Sequence, residues 1–391
     1  MKTLIELYDE ERPLENVLST EVFHPERTVF VCPPQVAKNT LLQKKLKEYF
    51  SHRGVNCQLD FTPTSLLNAT EVETTLRETF GKYEDCALDI AGGTDAALFA
   101  GGMMCAGTEV PVFTYSRKRN RFYNIRRAEF AENLPCGVLL TIEDCLLMAG
   151  GSMRTGRVKN EILSKYQDVI DPFFRVYMTY RKDWTRIVTY IQRISQQQKD
   201  EPVSLTAEGP YVARGDHGSR ATANEGALRA FEKIGMIQKL QIRSGESVSF
   251  VFRDAQIRTW LRDIGSVLEL YVYKACQETG LYQDVRTSVV VDWQGENKPD
   301  AVTNEIDVMA TKGVMPVFIS CKTCDVKTEA LNELAILRDR FGGEIARAAI
   351  VTAELGRTPM RHRAMELGID VIDLNDLRSG QIRERLSALA R

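Results

Sequence analysis

Two stretches, EIDV at residues 305–308 and FISCKT at residues 318–323, carry the most information on the fold of the C-terminal part of this chain. The pair places Asp307 in one β-branched run and Lys322 near the end of the next, and an acid in an earlier helical segment, Glu269, precedes both. Asp307 would bind a divalent metal through hard oxygen ligands. Lys322 would orient or activate an attacking water, or offset negative charge on a phosphate.

An acid and a lysine on adjacent strands also form ordinary solvated ion pairs, so this spacing alone leaves both interpretations open. The surrounding pattern favours a functional role. Residues 317–319 and 348–351 are continuous apolar runs that predict buried strands. Ser320 and Lys322 at the end of such a strand need a partner or a function, because a buried polar group without a partner is costly.

The order of helix Glu, strand Asp and strand Lys resembles the PD-(D/E)XK superfamily of restriction-endonuclease-like proteins. Asp307 matches the central Asp of that superfamily, Lys322 its Lys, and Glu269 its frequent helix Glu. The resemblance implies an endonuclease that hydrolyses phosphodiester bonds with Mn²⁺ or Mg²⁺ as its cofactor. The predicted catalytic positions are Lys322, Asp307, Glu269 and Ser320.

One of these positions departs from the superfamily, which usually has Asp or Glu two residues before the Lys. Ser320 stands there, and a neutral serine hydroxyl is a poor ligand for a hard divalent cation. Glu333, in the next helical segment at residues 328–340, is the predicted replacement. The predicted metal ligands are therefore Asp307, Glu269 and Glu333, and a water or a backbone carbonyl is an alternative source of the missing oxygen.

The N-terminal half resembles a CARF domain, the Rossmann-like sensor of CRISPR-linked proteins that bind cyclic oligoadenylates. The matching parts are the loop at residues 9–16, the Ala-Gly-Gly-Thr turn at residues 91–94, and the segment at residues 150–157. The resemblance implies cyclic tetra-adenylate as the activator. The predicted ligand-binding residues are Asp9, Glu11, Asn16, Gly92, Gly93 and Thr94.

The position and the residues of the Gly-Gly-Thr turn suit it to ligand binding. The turn follows a strand, and ligands of parallel α/β folds lie just beyond the carboxyl ends of strands. Its glycines would let a ligand approach the backbone, and Thr94 would cap the next helix while its amide faces a phosphate. A tight turn with an ordinary helix cap is the alternative interpretation.

The patterning along the chain predicts an α/β protein of three parts. The first ~150 residues alternate apolar runs with helical patterns, among them one helix over residues 35–53, which predicts a parallel sheet. Residues 195–202 are typical of a linker, and the helix and hairpin that follow resemble a winged helix. We therefore expect a Rossmann-like CARF domain at residues 1–158, a helical linker and winged-helix-like module at 159–262, and a mixed α/β restriction-endonuclease-like domain at 263–391.

The composition of the chain indicates which class of protein it belongs to and where it is located. The net charge is −2, whereas a constitutive nucleic-acid coat protein would be basic. Hydrophobic residues make up 43% and charged residues 27% of the chain, which is typical of globular proteins. No apolar run is long enough to span a bilayer, and the N-terminus lacks an apolar signal core. The chain is therefore expected to be cytoplasmic, without a membrane partner.

Together these features predict a cyclic-oligoadenylate-activated, divalent-metal-dependent nuclease of type III CRISPR defence that cleaves DNA and/or RNA, with single strands favoured. A homodimer is expected, because a ring-shaped ligand with internal symmetry fits best across a two-fold axis. The main alternative is a CARF-type, ligand-controlled transcription regulator with a degenerate nuclease domain, which the serine at position 320 favours. A restriction or repair endonuclease with an unrelated Rossmann-like half is a second alternative.

Overall fold

The fold is taken from a computed structural model that describes residues 1–154, 164–196, 204–215, 218–295, 298 and 300–391. The end of the segment at 150–157 and most of the predicted linker at 195–202 lie outside the described residues. Helices accompany one seven-stranded and one six-stranded sheet across the described ranges, which confirms the predicted α/β class. None of the described helices is long and apolar enough to cross a membrane.

The N-terminal domain is built on a sheet of order β3-β2-β1-β4-β5-β6-β7, parallel from β3 to β5 and antiparallel beyond. The strands are β1 (Thr3–Leu7), β2 (Arg27–Cys32), β3 (Gln58–Pro63), β4 (Cys86–Asp89), β5 (Val112–Ser116), β6 (Arg121–Arg126) and β7 (Leu134–Pro135). The helices are α1 (Glu15–Phe23), α2 (Pro34–Lys38), α3 (Thr40–His52), α4 (Ala69–Lys82), α5 (Asp95–Cys105) and α6 (Ile142–Met148). All five residues of β1 are buried, as expected for a central strand covered on both faces.

Two local predictions for this domain differ from the structure. Residues 35–53 form two helices rather than one, because Asn39 leaves the helical conformation and its side chain accepts a hydrogen bond from the Leu42 N–H at 3.0 Å. The predicted loop at residues 9–16 is shorter than expected, since α1 already begins at Glu15. Asn16 is therefore a helix residue that faces back toward the loop.

Among the described residues, the middle part begins with two α-helices, at residues 167–180 and 184–194, and continues with a small module of two further α-helices and five strands. The helices are α7 (Gln167–Tyr180), α8 (Trp184–Ile194), α9 (Glu225–Lys233) and α10 (Ala255–Leu261). The strands are β9 (Thr206–Pro210), β10 (Val212–Arg214), β11 (Arg220–Thr222), β12 (Ile237–Arg243) and β13 (Ser247–Phe252). The predicted order of helix then hairpin is confirmed, because α9 leads into the β12–β13 pair, to which β9 adds a third strand.

The C-terminal domain is built on a sheet of order β18-β17-β16-β15-β14-β8. The strands are β8 (Ser152–Met153), β14 (Asp284–Asp292), β15 (Thr303–Lys312), β16 (Met315–Lys322), β17 (Arg347–Thr352) and β18 (Ile369–Ile372). The helices are α11 (Ser266–Glu278), α12 (Thr328–Gly342), α13 (Thr358–Glu366), α14 (Leu374–Ser379) and α15 (Ile382–Leu389). The edge strand β8 lies before residue 158, so a segment assigned from sequence to the first domain pairs with the sheet of the last.

Helices α11 and α12 cover opposite faces of this second sheet. Leu268 of α11 shares a hydrophobic core with Ile319, whereas Leu334 of α12 shares another core with the adjacent Phe318. Neighbouring residues of a strand point to opposite faces, so this division follows from the apolar run of β16. The two helices that carry the predicted acidic ligands therefore enclose the end of β16 between them.

Candidate active site

The candidate active site lies where β15 and β16 separate. Residues 308–312 of β15 pair with residues 315–319 of β16, and β16 then continues beside β17 as far as Lys322. Asp307 and the residues before it are no longer paired with β16. A gap therefore opens between Asp307 on β15 and residues 320–322 on β16, and their polar side chains face it. Strand separation is therefore what brings the predicted acid and lysine to an open cleft rather than into the sheet.

The Asp307 carboxylate occupies this gap and joins the two strands. Its Oδ2 accepts a hydrogen bond from the backbone N–H of Cys321 at 2.6 Å, from the Ser320 hydroxyl at 3.0 Å and from Lys322 Nζ at 3.2 Å. The Cys321 N–H thus finds in a side chain the acceptor that a paired β15 would have supplied. Three predicted residues are in direct contact here.

Lys322 keeps its positive charge in this setting. Burial alone would lower its pKa, but the neighbouring Asp307 carboxylate outweighs burial and raises the pKa of Lys322 above its ordinary value. Its side chain is one-third exposed, so the ammonium group can reach a molecule in the cleft.

Glu269 lies on the α11 side of the same site, where negative charge accumulates. Burial, followed by the charges of Asp307, Asp263 and Glu305, raises the pKa of Glu269 to about 8, and Lys322 opposes the shift. A carboxyl whose pKa is raised in this way is short of nearby positive charge. A cation bound between Glu269 and Asp307 would supply it.

Glu333 reaches the cleft from the opposite side, on α12. The cleft is small, about 50 Å³, and is large enough for an ion and a few waters. Its polar lining includes Glu305, Asp307, Ser320, Lys322 and Glu333. Glu333 Oε1 accepts a hydrogen bond from Asn304 Nδ2 at 2.6 Å, so its exposed side chain is held at the cleft.

The donor set fits a hard divalent cation only in part. Carboxylate oxygens of the kind that Mn²⁺ and Mg²⁺ prefer line both sides of the gap. Within the described ranges, however, no three carboxylate, imidazole or thiol side chains converge as a ready-made metal cage. The residues therefore suit an ion whose remaining ligands are waters, which is common for Mg²⁺.

Sequence reasoning missed three polar residues of the site. Glu305 precedes Asp307 by two residues, and this spacing on a strand places both side chains on one side, so the sequence held a signal for it. Asp263 precedes α11 and accepts the Ser266 N–H at 2.6 Å, as a residue at a helix start does. Asn304 gives no signal from sequence, because its role depends on α12 packing beside β15.

The predicted sensor residues gather at a single edge of the first sheet. Strands β1 and β4 are parallel neighbours, so the loop after β1 and the turn after β4 emerge side by side. A Cβ atom on Gly92 would lie 2.5 Å from the Leu7 carbonyl oxygen and 3.1 Å from Asp9 Cβ. Only glycine can therefore occupy position 92. The close contact brings the two predicted ligand-binding segments side by side.

Asp9 and Asn16 organise the loop between them. Asn16 Oδ1 accepts the Asp9 N–H at 2.8 Å, and Asn16 Nδ2 donates to the Asp9 carbonyl at 2.7 Å. Asp9 Oδ1 in turn accepts the Glu11 N–H at 2.9 Å. Asn16 is buried, whereas the Glu11 side chain is exposed at the edge. Contacts of these residues with a ligand remain predictions.

Thr94 caps α5, as the sequence predicts. Its hydroxyl oxygen accepts the Ala97 N–H at 3.2 Å and also donates to the Leu66 carbonyl. Gly93 has a φ of +91°, a conformation that favours glycine. The turn is thus a tight turn with a helix cap in any case, and ligand binding there remains a prediction.

Comparison with known proteins supports the assignment of the C-terminal domain. Residues 258–391 match the family model described as Card1-like, endonuclease domain, which confirms the prediction of a nuclease domain. Among curated proteins, no sequence matches the chain significantly.

Two solved structures share the fold along the whole chain. The crystal structure of protein VC1899 from Vibrio cholerae superposes with a TM-score of 0.77 at 18% identity, covering 99% of this chain and 98% of that one. Can2 from Sulfobacillus thermosulfidooxidans, solved in complex with cyclic tetra-adenylate, superposes with a TM-score of 0.71 at 16% identity, covering 100% and 99%. The order of the parts is therefore shared with both proteins.

Proposed function

We propose that this chain is a cyclic-oligoadenylate-activated, divalent-metal-dependent endonuclease of type III CRISPR defence. The observation that carries the proposal is the contact of Asp307 with Ser320 and Lys322 at the point where two strands separate, inside a domain that matches an endonuclease family. The shared fold with Can2, which is solved with cyclic tetra-adenylate, supports the proposed activator.

The cleft residues divide the chemistry between them. A divalent metal, when bound by Asp307 and Glu269, would polarise a phosphate oxygen and acidify a bound water. Lys322 would offset the negative charge that builds up on the scissile phosphate, and its proton donors would orient the attacking water. Glu333 would contribute the charge that the superfamily places at the position of Ser320.

The proposed activator site lies at the edge formed by the loop at residues 9–14 and the turn at residues 91–94. The chain is proposed to act as a homodimer whose two copies of this edge enclose one ring. Helix α5, which begins at the turn, exposes Phe99 and Met103, with 66% and 45% of their surfaces accessible. Apolar side chains beside the proposed ligand edge support a subunit contact there.

Cleavage of paired substrates tests the proposal directly. Labelled single-stranded DNA and RNA would be incubated with Mn²⁺ or Mg²⁺, with and without cyclic tetra-adenylate. We expect cleavage of at least one substrate that requires both the metal and the activator, and none by the Asp307→Asn variant. Failure to cleave either substrate with any metal would overturn the nuclease proposal.

A ligand-controlled transcription regulator is the second candidate, and two observations favour it. The serine at position 320 removes a metal ligand, and the described residues contain no ready-made metal cage. In that case the protein would bind duplex DNA in a ring-dependent manner and leave both substrates intact. Cleavage without any activator would instead favour a restriction or repair endonuclease.

A further inference from the structure

The N-terminal and C-terminal domains meet at a cavity of about 220 Å³ beside the proposed sensor loop. Arg117 of the first domain contacts Glu15 there, with Nε 2.7 Å from Oε1, and also pairs with Glu344 just beyond α12. Arg340 of α12 donates to the Ala149 carbonyl. The C-terminal end of α12 is therefore fixed to the sensor domain by charged contacts.

Phe341 extends this junction into the nuclease domain. The ring lines the cavity and is 1% exposed. Gly151, which precedes the shared strand β8, lies so close that a Cβ atom on it would be 2.6 Å from Phe341 Cε1. Trp293, at the end of β14, meets the same ring edge to face with centroids 5.5 Å apart.

Two hydrogen bonds continue from Trp293 to the cleft. The indole N–H of Trp293 donates to Asn304 Oδ1 at 2.7 Å, and Asn304 Nδ2 donates to Glu333 Oε1 at 2.6 Å. An indole nitrogen can only donate, so it fixes which end of the Asn304 amide is oxygen. The amide therefore presents its donor to the carboxylate.

We propose that Trp293 and Asn304 are positioning residues that hold Glu333 at the cleft and join it to the sensor–nuclease junction at Phe341. The inference rests on the proposed function and deepens it. An exposed glutamate on a helix samples several rotamers, and a fixed donor restricts it to one. Since Phe341 contacts both Gly151 and Trp293, a change at the junction would reach Glu333 through three contacts.

The three contacts from Phe341 through Trp293 and Asn304 to Glu333 are called the relay below. Direct measurement of Mn²⁺ binding by calorimetry tests the relay without depending on cleavage. Trp293→Phe keeps an aromatic ring on Phe341 but removes the N–H donor. We expect Trp293→Phe to weaken Mn²⁺ binding about tenfold, the lower end for lost partners of metal ligands, and Glu333→Gln to weaken it at least as much, because it removes the proposed ligand itself. The double variant should bind no more weakly than Glu333→Gln alone, because both changes break one relay.

Two further variants keep the test decisive. Tyr190→Phe removes a hydroxyl that donates to the Pro210 carbonyl at 3.2 Å in the middle part of the chain, and it should leave Mn²⁺ binding unchanged. Asn304→Ala breaks the relay without altering the aromatic packing and should match Trp293→Phe. It replaces that variant if thermal melting shows that Trp293→Phe is unfolded.

The outcomes separate the relay from the function on which it rests. Mn²⁺ binding that is unchanged in Trp293→Phe and Asn304→Ala, but weakened in Glu333→Gln, would overturn the relay and leave the nuclease standing. Unchanged binding in Glu333→Gln would overturn it as well. A wild-type protein that neither binds Mn²⁺ nor cleaves would overturn the proposed function, and the relay with it.

Discussion

The Asp307 carboxylate uses its two oxygens differently. Oδ2 accepts three hydrogen bonds, from Ser320, Cys321 and Lys322. No described residue donates a hydrogen bond to Oδ1, which leaves that oxygen for an ion or a water. Ser320 donates one of these bonds, so its hydroxyl can help to orient the acid although it carries no charge.

Removal of either charged partner of this pair should stop the chemistry without unfolding the domain. We expect Lys322→Ala and Asp307→Asn each to lower the cleavage rate by at least about a hundredfold, since each removes a group that stabilises the reacting charges. The rates would be measured with saturating activator and metal. Binding of cyclic tetra-adenylate should be unchanged.

Surface variants of the same types provide the controls for this prediction. Lys47→Ala and Asp370→Asn remove exposed charges outside the cleft and should cleave like wild type. Wild-type rates in Lys322→Ala would remove Lys322 from the chemistry.

Glu269 should matter for metal binding because three acids surround it and Lys322 offsets their charge only in part. Burial and three neighbouring acids raise its pKa, and a bound cation would relieve both effects. We expect Glu269→Gln to raise the Mn²⁺ concentration needed for half-maximal cleavage, and Glu333→Gln to do so more weakly because Glu333 is more exposed. Equal half-maximal concentrations in all three proteins would show that neither glutamate binds the metal.

At the scale of elements, the sensor edge depends on a helix cap and a helix side chain. Thr94→Ala and Asn16→Ala should each weaken cyclic tetra-adenylate binding by about 1–3 kcal/mol, the cost of an unpaired buried polar group. Asn16 would act through the Asp9 loop that its amide holds. Calorimetry of cyclic tetra-adenylate binding to each variant measures the change.

Loss of a cap also lowers stability, so a matched variant is needed. Asn224 caps α9 and accepts the Ala227 N–H at 3.0 Å, far along the chain from the sensor edge. Asn224→Ala should cost about 0.5–2 kcal/mol of stability, as Thr94→Ala should, but leave ring binding intact. Unchanged affinity in both sensor variants would mean that the ring binds elsewhere.

Strands β1 and β4 bury two acids side by side, and this should make stability depend on pH. Burial raises the pKa of Asp89 to about 6, although hydrogen bonds from Ser19 and the Ala91 N–H oppose it. Burial and Asp89 raise the pKa of Glu6 well above its ordinary value. Both side chains are almost inaccessible to solvent.

The sign of the effect follows from the raised pKa. The folded protein holds the Asp89 proton more tightly than the unfolded chain, so its contribution is fully present below about pH 4 and is lost as pH rises through about 6. Asp89→Asn should therefore reduce the fall in unfolding free energy between pH 4 and 7 by up to about 3 kcal/mol. Urea unfolding across this range would show it, and an equal pH slope in both proteins would contradict it.

At the scale of the whole molecule, the proposed dimer depends on the exposed face of α5. Phe99→Asp places a charge in that face, and we expect it to shift the protein from dimer to monomer and to abolish activation by the ring. Light scattering after size exclusion measures the mass. Met365→Asp, on an equally exposed residue of α13, should leave the dimer intact. A wild-type protein that remains a monomer with cyclic tetra-adenylate bound would contradict the proposed dimer.

The fold class could be read from the sequence alone, and so could the prediction of Asp307 and Lys322 as the central pair of the candidate active site. Continuous apolar runs of strand length and helical runs with a period near four are local properties, so strands β1 and β16 and helix α11 are visible in the sequence. Asp307 and Lys322 could be found because polar residues at the end of a buried strand need a reason to be there.

The way in which distant segments meet at the candidate site depends on tertiary packing. The separation of β15 from β16, the edge strand β8 and the bonds from Trp293 through Asn304 to Glu333 join residues far apart in the chain. The break at Asn39 arises from its side-chain cap. Such contacts depend on how helices and strands pack, and a local pattern carries no information on which remote side chain will face it.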